Sequence, residues 1–401
     1  VAYDVNAVRR QFPALEEGAA HFDGPGGSQV PDVVAEAVAG TLVSAISNRG
    51  TMTVAERRAD AVVSEARQAM ADLLGATSQG IVFGRSMTQL TFDFARALAK
   101  DWGPGDEVVV SRLDHDANIR PWVLAAEAAG ATVRWADFDP ETGVLRADEV
   151  GRLLSARTRL VAVTAASNLL GTRPEVRAIT DLAHDAGALA YVDGVALTPH
   201  TLVDVTAFGA DFYACSPYKF LGPHLGVLAA DPALLETLKP DKLLPSSNAV
   251  PERFELGTLP YELLAGTTAA VRFLAGLVPG AGSLRERLAV SMPVLEEHES
   301  ALRERLETGL TKIAGVTLHG SPDRLHTPTV LFSVDGVAPS QVHRELGERG
   351  VNAPAGNFYA LECSRRLGLG ETGAVRAGIS PYTSESDVDR LLTGVDAVAR
   401  G

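Results

Sequence analysis

The sequence predicts an α/β fold: a large domain on a mostly parallel sheet covered by helices, followed by a smaller α+β domain. Three observations carry this. From about residue 56, segments with helical apolar spacing alternate with short runs. The runs are apolar throughout, which calls for burial on both faces, as in parallel sheets whose strands are joined by helices. Near residue 255 the alternation stops, and a long helical region (about 262–313) precedes separated strand candidates.

The elements follow in order. "AERRADAVVSEARQAMADLLG" has helical spacing and stops at Gly75, a C′ position. "GIVFG" (80–84) is the first buried run, followed by the helix "SMTQLTFDFARALAKDWGPGD". "EVVVS" (107–111), "TVRWAD" (132–137), "RLVAVTAAS" (159–167), "ALAYVDG" (188–194) and "DFYACS" (211–216) repeat the cycle. In the smaller domain "TVLFSV" (329–334), "GVN" (350–352) and "AVRAGIS" (374–380) read as strands, and Ser384 caps a final helix with acidic residues in its first turn. The expected division is an N-terminal segment at 1–20 packing on the small domain, a large domain at 21–255 and a small domain at 256–401.

With 401 residues, 46% apolar and 21% charged, the chain has material for a large core and more than one domain. A net charge of −14 and the lack of a basic stripe argue against nucleic acid. Two cysteines, Cys215 and Cys363, make no disulfide framework and no zinc spacing, so no metal is expected. No apolar stretch suits a membrane span, the N-terminus carries charges where a signal peptide needs an apolar run, and the reducing cytoplasm is the expected compartment.

In a parallel α/β sheet, ligands bind beyond the carboxyl ends of the strands. Beyond "GIVFG" lie Ser86, Met87 and Thr88, opening a helix whose free N–H groups favour a phosphate. Beyond the following strands lie Asp114-His115-Asp116, Asn168, Asp193 and Lys219. Each has a local role open to it: a helix cap for Ser86 or Thr88, a loop for His115, turns for Asn168 and Asp193, and for Lys219 a stem laid on Tyr218 and Phe220. Lys219 is one of five lysines among 36 basic residues, so arginine is the default cation here. The convergence of phosphate cup, imidazole, amide, carboxylate and amine on one rim favours a shared use. Pyridoxal 5'-phosphate needs all of them: a lysine for a Schiff base, a carboxylate that keeps the ring nitrogen protonated, a phosphate cup and a flat neighbour. "DGPGGSQ" (23–29) lacks the GxGxxG and Gly-Lys-Ser/Thr patterns of nucleotide loops, and reads instead as backbone passing close to substrate.

At these residues the sequence resembles the class V aminotransferases of fold type I, most closely their cysteine desulfurase-like branch, over nearly its full length. The matching stretches are "SRLDHDANIRPW", "VAVTAASNLLGT", "YVDGVALTPHTLVDVTAFGADFYACSPYKFLGP", "PERFELGT" and "VRAGISPYTSESDVDRL". The resemblance implies that Lys219 carries the Schiff base, Asp193 faces the ring nitrogen and His115 stacks on the ring. It implies that Thr88, the Met87 backbone and Ser216 hold phosphate, and that Asn168 faces the ring oxygen or the substrate carboxylate. Arg376 would grip the carboxylate of an amino-acid substrate. Thr258 would reach the phosphate of a neighbouring subunit, which implies a homodimer.

The departures are as informative. Ala196 stands where desulfurases have glutamine, and Tyr218 where they usually have histidine. The catalytic-cysteine loop aligns with "GNFYALEC", placing Tyr359 at the cysteine position and Cys363 four residues on. The expected activity is thus a pyridoxal-phosphate enzyme acting at the Cα of an amino acid, by transamination, β-elimination including C–S cleavage, or epimerisation. The alternatives are a cofactor-binding accessory protein without turnover, a cysteine desulfurase using Cys363, and a nicotinamide dehydrogenase, whose glycine fingerprint is missing.

Overall fold

The computed structural model describes residues 3–320 and 325–401. Its first strand, β1 (Ala20–His21), serves the C-terminal part of the chain, as described below. The large sheet contains β2 (Ile81–Gly84), β3 (Glu107–Ser111), β4 (Thr132–Ala136), β5 (Thr158–Thr164), β6 (Leu189–Asp193), β7 (Phe212–Cys215) and β8 (Gly226–Ala230), in the order β2-β8-β7-β6-β5-β3-β4. The six expected runs are all strands, and all but one are mostly buried, Arg159 near the start of β5 being exposed. The exception, β4, lies at the sheet edge and alternates between exposed and covered residues, as a half-covered strand does.

The sequence reading did not identify β8. It runs antiparallel to both β7 and β2, so β2 again points the same way as the remaining strands. The carboxyl ends of β2 to β7 therefore meet at one rim. Alternate residues feed two cores: Val108 and Val110 face one side of the sheet and Val109 the other. Gly226 is required by close approach, since a Cβ there would stand 2.5 Å from the Met87 nitrogen. The approach locks the start of helix Met87–Leu98 against the sheet.

The region expected to be helical over about 262–313 is two helices, Tyr261–Ala275 and Leu284–Leu310. Between them the Pro279–Gly282 turn breaks the run, and Ser283 and Glu286 close a capping box on the second. Leu288, Met292 and Leu295 of that second helix belong to the large core, whereas Leu302, Leu306 and Leu310 belong to the small one. We therefore propose that the two units divide inside this helix rather than at residue 255.

The small sheet contains β9 (Val316–His319), β10 (Thr329–Val334), β12 (Ala355–Gly356) and β13 (Ala374–Gly378), in the order β12-β13-β10-β9. Strand β11 (Val351–Asn352) pairs in parallel with β1. Two bonds reinforce that pairing: Tyr3 Oη donates to the Pro381 carbonyl (2.7 Å), and Arg9 pairs with Asp387 (2.6 Å). Residues 1–2 of the expected N-terminal segment lie outside the described residues. The final helix, Glu385–Arg400, starts at Ser384 with a capping box closed by Asp387. Among the described residues no helix is long and apolar enough to cross a membrane.

Candidate active site

The strand rim opens on a cavity of about 600 Å³, closed on its far side by Phe358, Tyr359, Arg376 and Ser380 of the C-terminal part. Of the expected site residues, Met87, Thr88, His115, Asn168, Asp193, Ser216, Lys219 and Arg376 line it. Thr258 does not; it is exposed on the segment before helix Tyr261–Ala275. A second cavity, about 720 Å³, lies between helices near the N-terminus, and its charged Arg272 and Glu65 satisfy each other at 3.0 Å.

Lys219 ends a short 3-10 turn, Pro217–Lys219, that follows β7 directly. Its Nζ donates to the Pro25 carbonyl (2.5 Å) and lies 4.6 Å from the centre of the Tyr218 ring, which stacks on His224. Its neighbours are thus a carbonyl and an aromatic face, and no carboxylate forms an ion pair with it among the described residues. Burial pulls the amine down to about 7; the charge of Arg376 adds to this and Asp193 opposes it. Pro25 belongs to the glycine-rich loop 23–29, which forms part of the wall as expected. A Cβ on Gly24 would stand 2.2 Å from Ser380 Oγ, so the loop lies against the Ser380 hydroxyl, which would have to turn away from any larger residue.

Asp193 is the last residue of β6, in register with Thr164 and Ala214 on its neighbours. One carboxylate oxygen accepts from the Val195 N–H at 2.9 Å, and burial raises the carboxyl to about 6. His115 presents its ring to the cavity, with Nδ1 accepting from the Ala117 N–H at 3.0 Å, so the neutral ring carries its proton on Nε2. Burial, together with the charges of Lys219 and Arg376, lowers it to about 4. Behind it stands Asp114, fully buried, bonded by Ser111 Oγ (2.5 Å) and Asn118 Nδ2 (2.7 Å) and raised by burial to about 8. Nothing in "DHD" (114–116) distinguishes Asp114, the buried carboxylate, from Asp116, which lines the cavity.

Arg376 is 2% exposed and has no carboxylate partner among the described residues. One NH donates to the Asn168 carbonyl (2.8 Å), the guanidinium carbon lies 3.8 Å from the centre of the Phe358 ring, and Nε has no partner. Burial alone lowers it to about 9. Asn168 Nδ2 donates to the Phe358 carbonyl (2.9 Å), while its Oδ1 is buried without a partner. Buried polar atoms are rarely left unpaired, and these two face the same cavity as Lys219. Arg376 Nε is a buried donor and Asn168 Oδ1 a buried acceptor, and each is open to a further polar partner.

On the other side, Ser86 caps helix Met87–Leu98 by accepting from the Gln89 N–H (3.1 Å). Its use as the cap leaves the exposed hydroxyl of Thr88 in the first turn free for the cavity. Ser216, 3% exposed, makes no side-chain cap bond. The two hydroxyls and the helix start suit a phosphate.

Tyr359, which the resemblance places at the desulfurase cysteine position, is 75% exposed, and its ring lies 5.6 Å from that of His115. Cys363 sits in helix Leu361–Arg366, 0% exposed within the large core, and burial pushes its thiol upward. It does not line the cavity.

The aminotransferase class-V family profile matches residues 20–391. An uncharacterized protein of Mycobacterium tuberculosis is 38% identical over 98% of both chains, and an aminotransferase-like protein of Gibberella zeae is 32% identical over 99% of both. The crystal structure of the cysteine desulfurase CsdA from Escherichia coli superimposes with a TM-score of 0.87 at 28% identity, over 100% of this chain and 99% of that one. The chain belongs to the class-V aminotransferase family, in the cysteine desulfurase-like group of fold type I pyridoxal-phosphate enzymes.

Proposed function

We propose that this enzyme binds pyridoxal phosphate in the rim cavity and acts at the Cα of an amino acid, by transamination or β-elimination, without forming a protein persulfide. The observation that carries the reading is Arg376, buried and without a carboxylate partner beside the Lys219 amine. The residues present fit the cofactor: Lys219 for the imine, Asp193 for the ring nitrogen, His115 for the ring face, and Thr88, the Met87 backbone and Ser216 for phosphate. When bound, the cofactor supplies an electron sink for negative charge developing at the substrate Cα.

The chain's own groups do the rest. Arg376 donates to the α-carboxylate, joined by the second N–H of Asn168 Nδ2, and this orients the Cα–H bond. The Lys219 Nζ, with its basicity lowered by burial to about 7, takes that proton and gives it back near neutral pH. Asp193 stays buried and ionised opposite a protonated ring nitrogen. Persulfide chemistry needs a thiolate within reach, whereas the nearby side chain is Tyr359 and Cys363 is sealed in the core. A homodimer is part of the proposal: Thr258 is exposed, as are Leu42, Val43, Leu243 and Leu244. So is a cytoplasmic site of action.

The test is product analysis on cofactor-loaded protein. With an amino acid and a keto acid, transfer yields a new pair; elimination yields ammonia and a keto acid from one substrate. Rapid sulfide release from L-cysteine that collapses in Cys363→Ser would refute the reading and restore the desulfurase assignment.

A further inference from the structure

Resting on the cavity assignment above, the walls also define the substrate side chain. Once Lys219, Asp193, His115 and Arg376 are committed to cofactor and α-carboxylate, the charged groups left on the wall neutralise one another. Asp116 pairs with Arg120 (3.1 Å), and His200 Nδ1 meets the buried Glu299 at 2.9 Å. Among the described residues of this subunit that line the cavity, no unpaired carboxylate is left for a cationic side chain, and no unpaired cation for a second carboxylate. Charged side chains would therefore be desolvated without compensation.

Most of what remains is apolar or aromatic, including Phe92, Phe358, Tyr359, Leu274 and the small Ala196. Phe358 and Tyr359 are consecutive non-glycine residues in left-handed conformation, with φ of 51° and 59°. Such backbone is retained only where its surroundings enforce it. Here the Asp116 N–H donates to the Tyr359 carbonyl (2.7 Å) and Asn168 Nδ2 to the Phe358 carbonyl. The result is one aromatic ring over the Arg376 guanidinium and a second leaning on His115, both beside the proposed carboxylate site.

We propose that the substrate is an α-amino acid with a large uncharged side chain, aromatic above all, and that Phe358 and Tyr359 determine this specificity. The side chain lies against the two rings, covering the exposed Tyr359 and removing apolar surface from water.

The experiment titrates cofactor-loaded protein with L-phenylalanine, L-leucine, L-alanine, L-cysteine, L-aspartate and L-lysine, following the visible band. Half-saturation by phenylalanine is expected at a concentration at least tenfold below that for alanine, with aspartate and lysine silent in the same range. Tyr359→Asn, which tolerates the left-handed backbone, should weaken phenylalanine by five- to tenfold and alanine by less than twofold. Tighter response to alanine, cysteine or a charged amino acid, or an unchanged phenylalanine-to-alanine ratio in Tyr359→Asn, would overturn the substrate class alone. A protein that gains no visible band on adding pyridoxal phosphate would instead refute the cofactor reading beneath it.

Discussion

The rim of the large sheet and the segment from Gly356 to Cys363 form opposite walls of one cavity, and they are built differently. The rim presents Asp193 and Lys219 from the ends of buried parallel strands. The opposite wall is an irregular turn with two left-handed non-glycine residues, an exposed tyrosine and a cysteine turned into the core. On the proposed reading the rim carries the groups that would hold pyridoxal phosphate, while the turn carries Tyr359 where the resemblance to desulfurases would place a cysteine. Cofactor chemistry thus resides on regular elements that cannot move without unpacking the core. On the same reading the choice of reaction resides on the turn, whose exposed Tyr359 can be exchanged more readily than a buried rim residue.

Substitutions on the rim should break the enzyme, and those on the turn should redirect it or do nothing. The largest effect is expected from Lys219→Met, which removes both the imine-forming amine and the proton acceptor and should lower turnover by at least about 10³-fold. The same variant has a signature without cofactor. With the folded amine lowered to about 7 and the unfolded one near 10.5, the unfolded chain holds one more proton between these values. Stability therefore rises with pH across that window and the contribution is lost as pH falls towards 7. Between pH 8 and 10 the cofactor-free protein should show a slope about 1.4 kcal/mol per pH unit more positive than Lys219→Met. Parallel slopes in denaturant melts would contradict the lowered amine.

Asp193→Asn comes next. A neutral amide cannot hold a protonated ring nitrogen, so activity should fall by about 10²- to 10³-fold with bound cofactor, measured after gel filtration, much less affected. Equal loss of both would make Asp193 a structural residue. Arg376→Met should raise KM by about 10- to 100-fold through the loss of charged hydrogen bonds worth about 1.5–3 kcal/mol. Because the guanidinium is buried without a counterion, the cofactor-free variant should be no less stable than the parent. A large drop in Tm would show an ion pair or network behind it. The smallest effect belongs to the turn's cysteine: Cys363→Ser should leave turnover within about twofold and cost about 0.5–2 kcal/mol, since the buried hydroxyl keeps Ser167 as a hydrogen-bond partner. A steady-state assay beside a thermal melt separates the two.

Much of the rim was legible in the sequence, because strand periodicity and the rule for strand ends are local. Six buried runs located the strands, and Asp193 and Lys219 followed from where those runs stop. Gly75 does end its helix in a left-handed conformation, and Ser384 does cap the last one. Strand β8 escaped notice because "GVLAA" is short and rich in small residues, with no helix before it. The break at Pro279–Gly282 was hidden between two stretches of helical spacing. The turn was the least legible part. Its shape depends on contacts between distant residues, such as Asn168 Nδ2 with the Phe358 carbonyl and the Asp116 N–H with that of Tyr359. Nothing in the local sequence around Phe358 encodes a left-handed backbone, and the unpaired state of Arg376 appears only when every neighbour is placed.

The most direct test of the account is to reduce the cofactor-loaded protein with borohydride and map the modified peptide. The cofactor-loaded protein should be yellow, with its reduced adduct on Lys219 alone, in the peptide following β7. An adduct on Lys239 or Lys242, or no adduct on a protein that has taken up the cofactor, would contradict it.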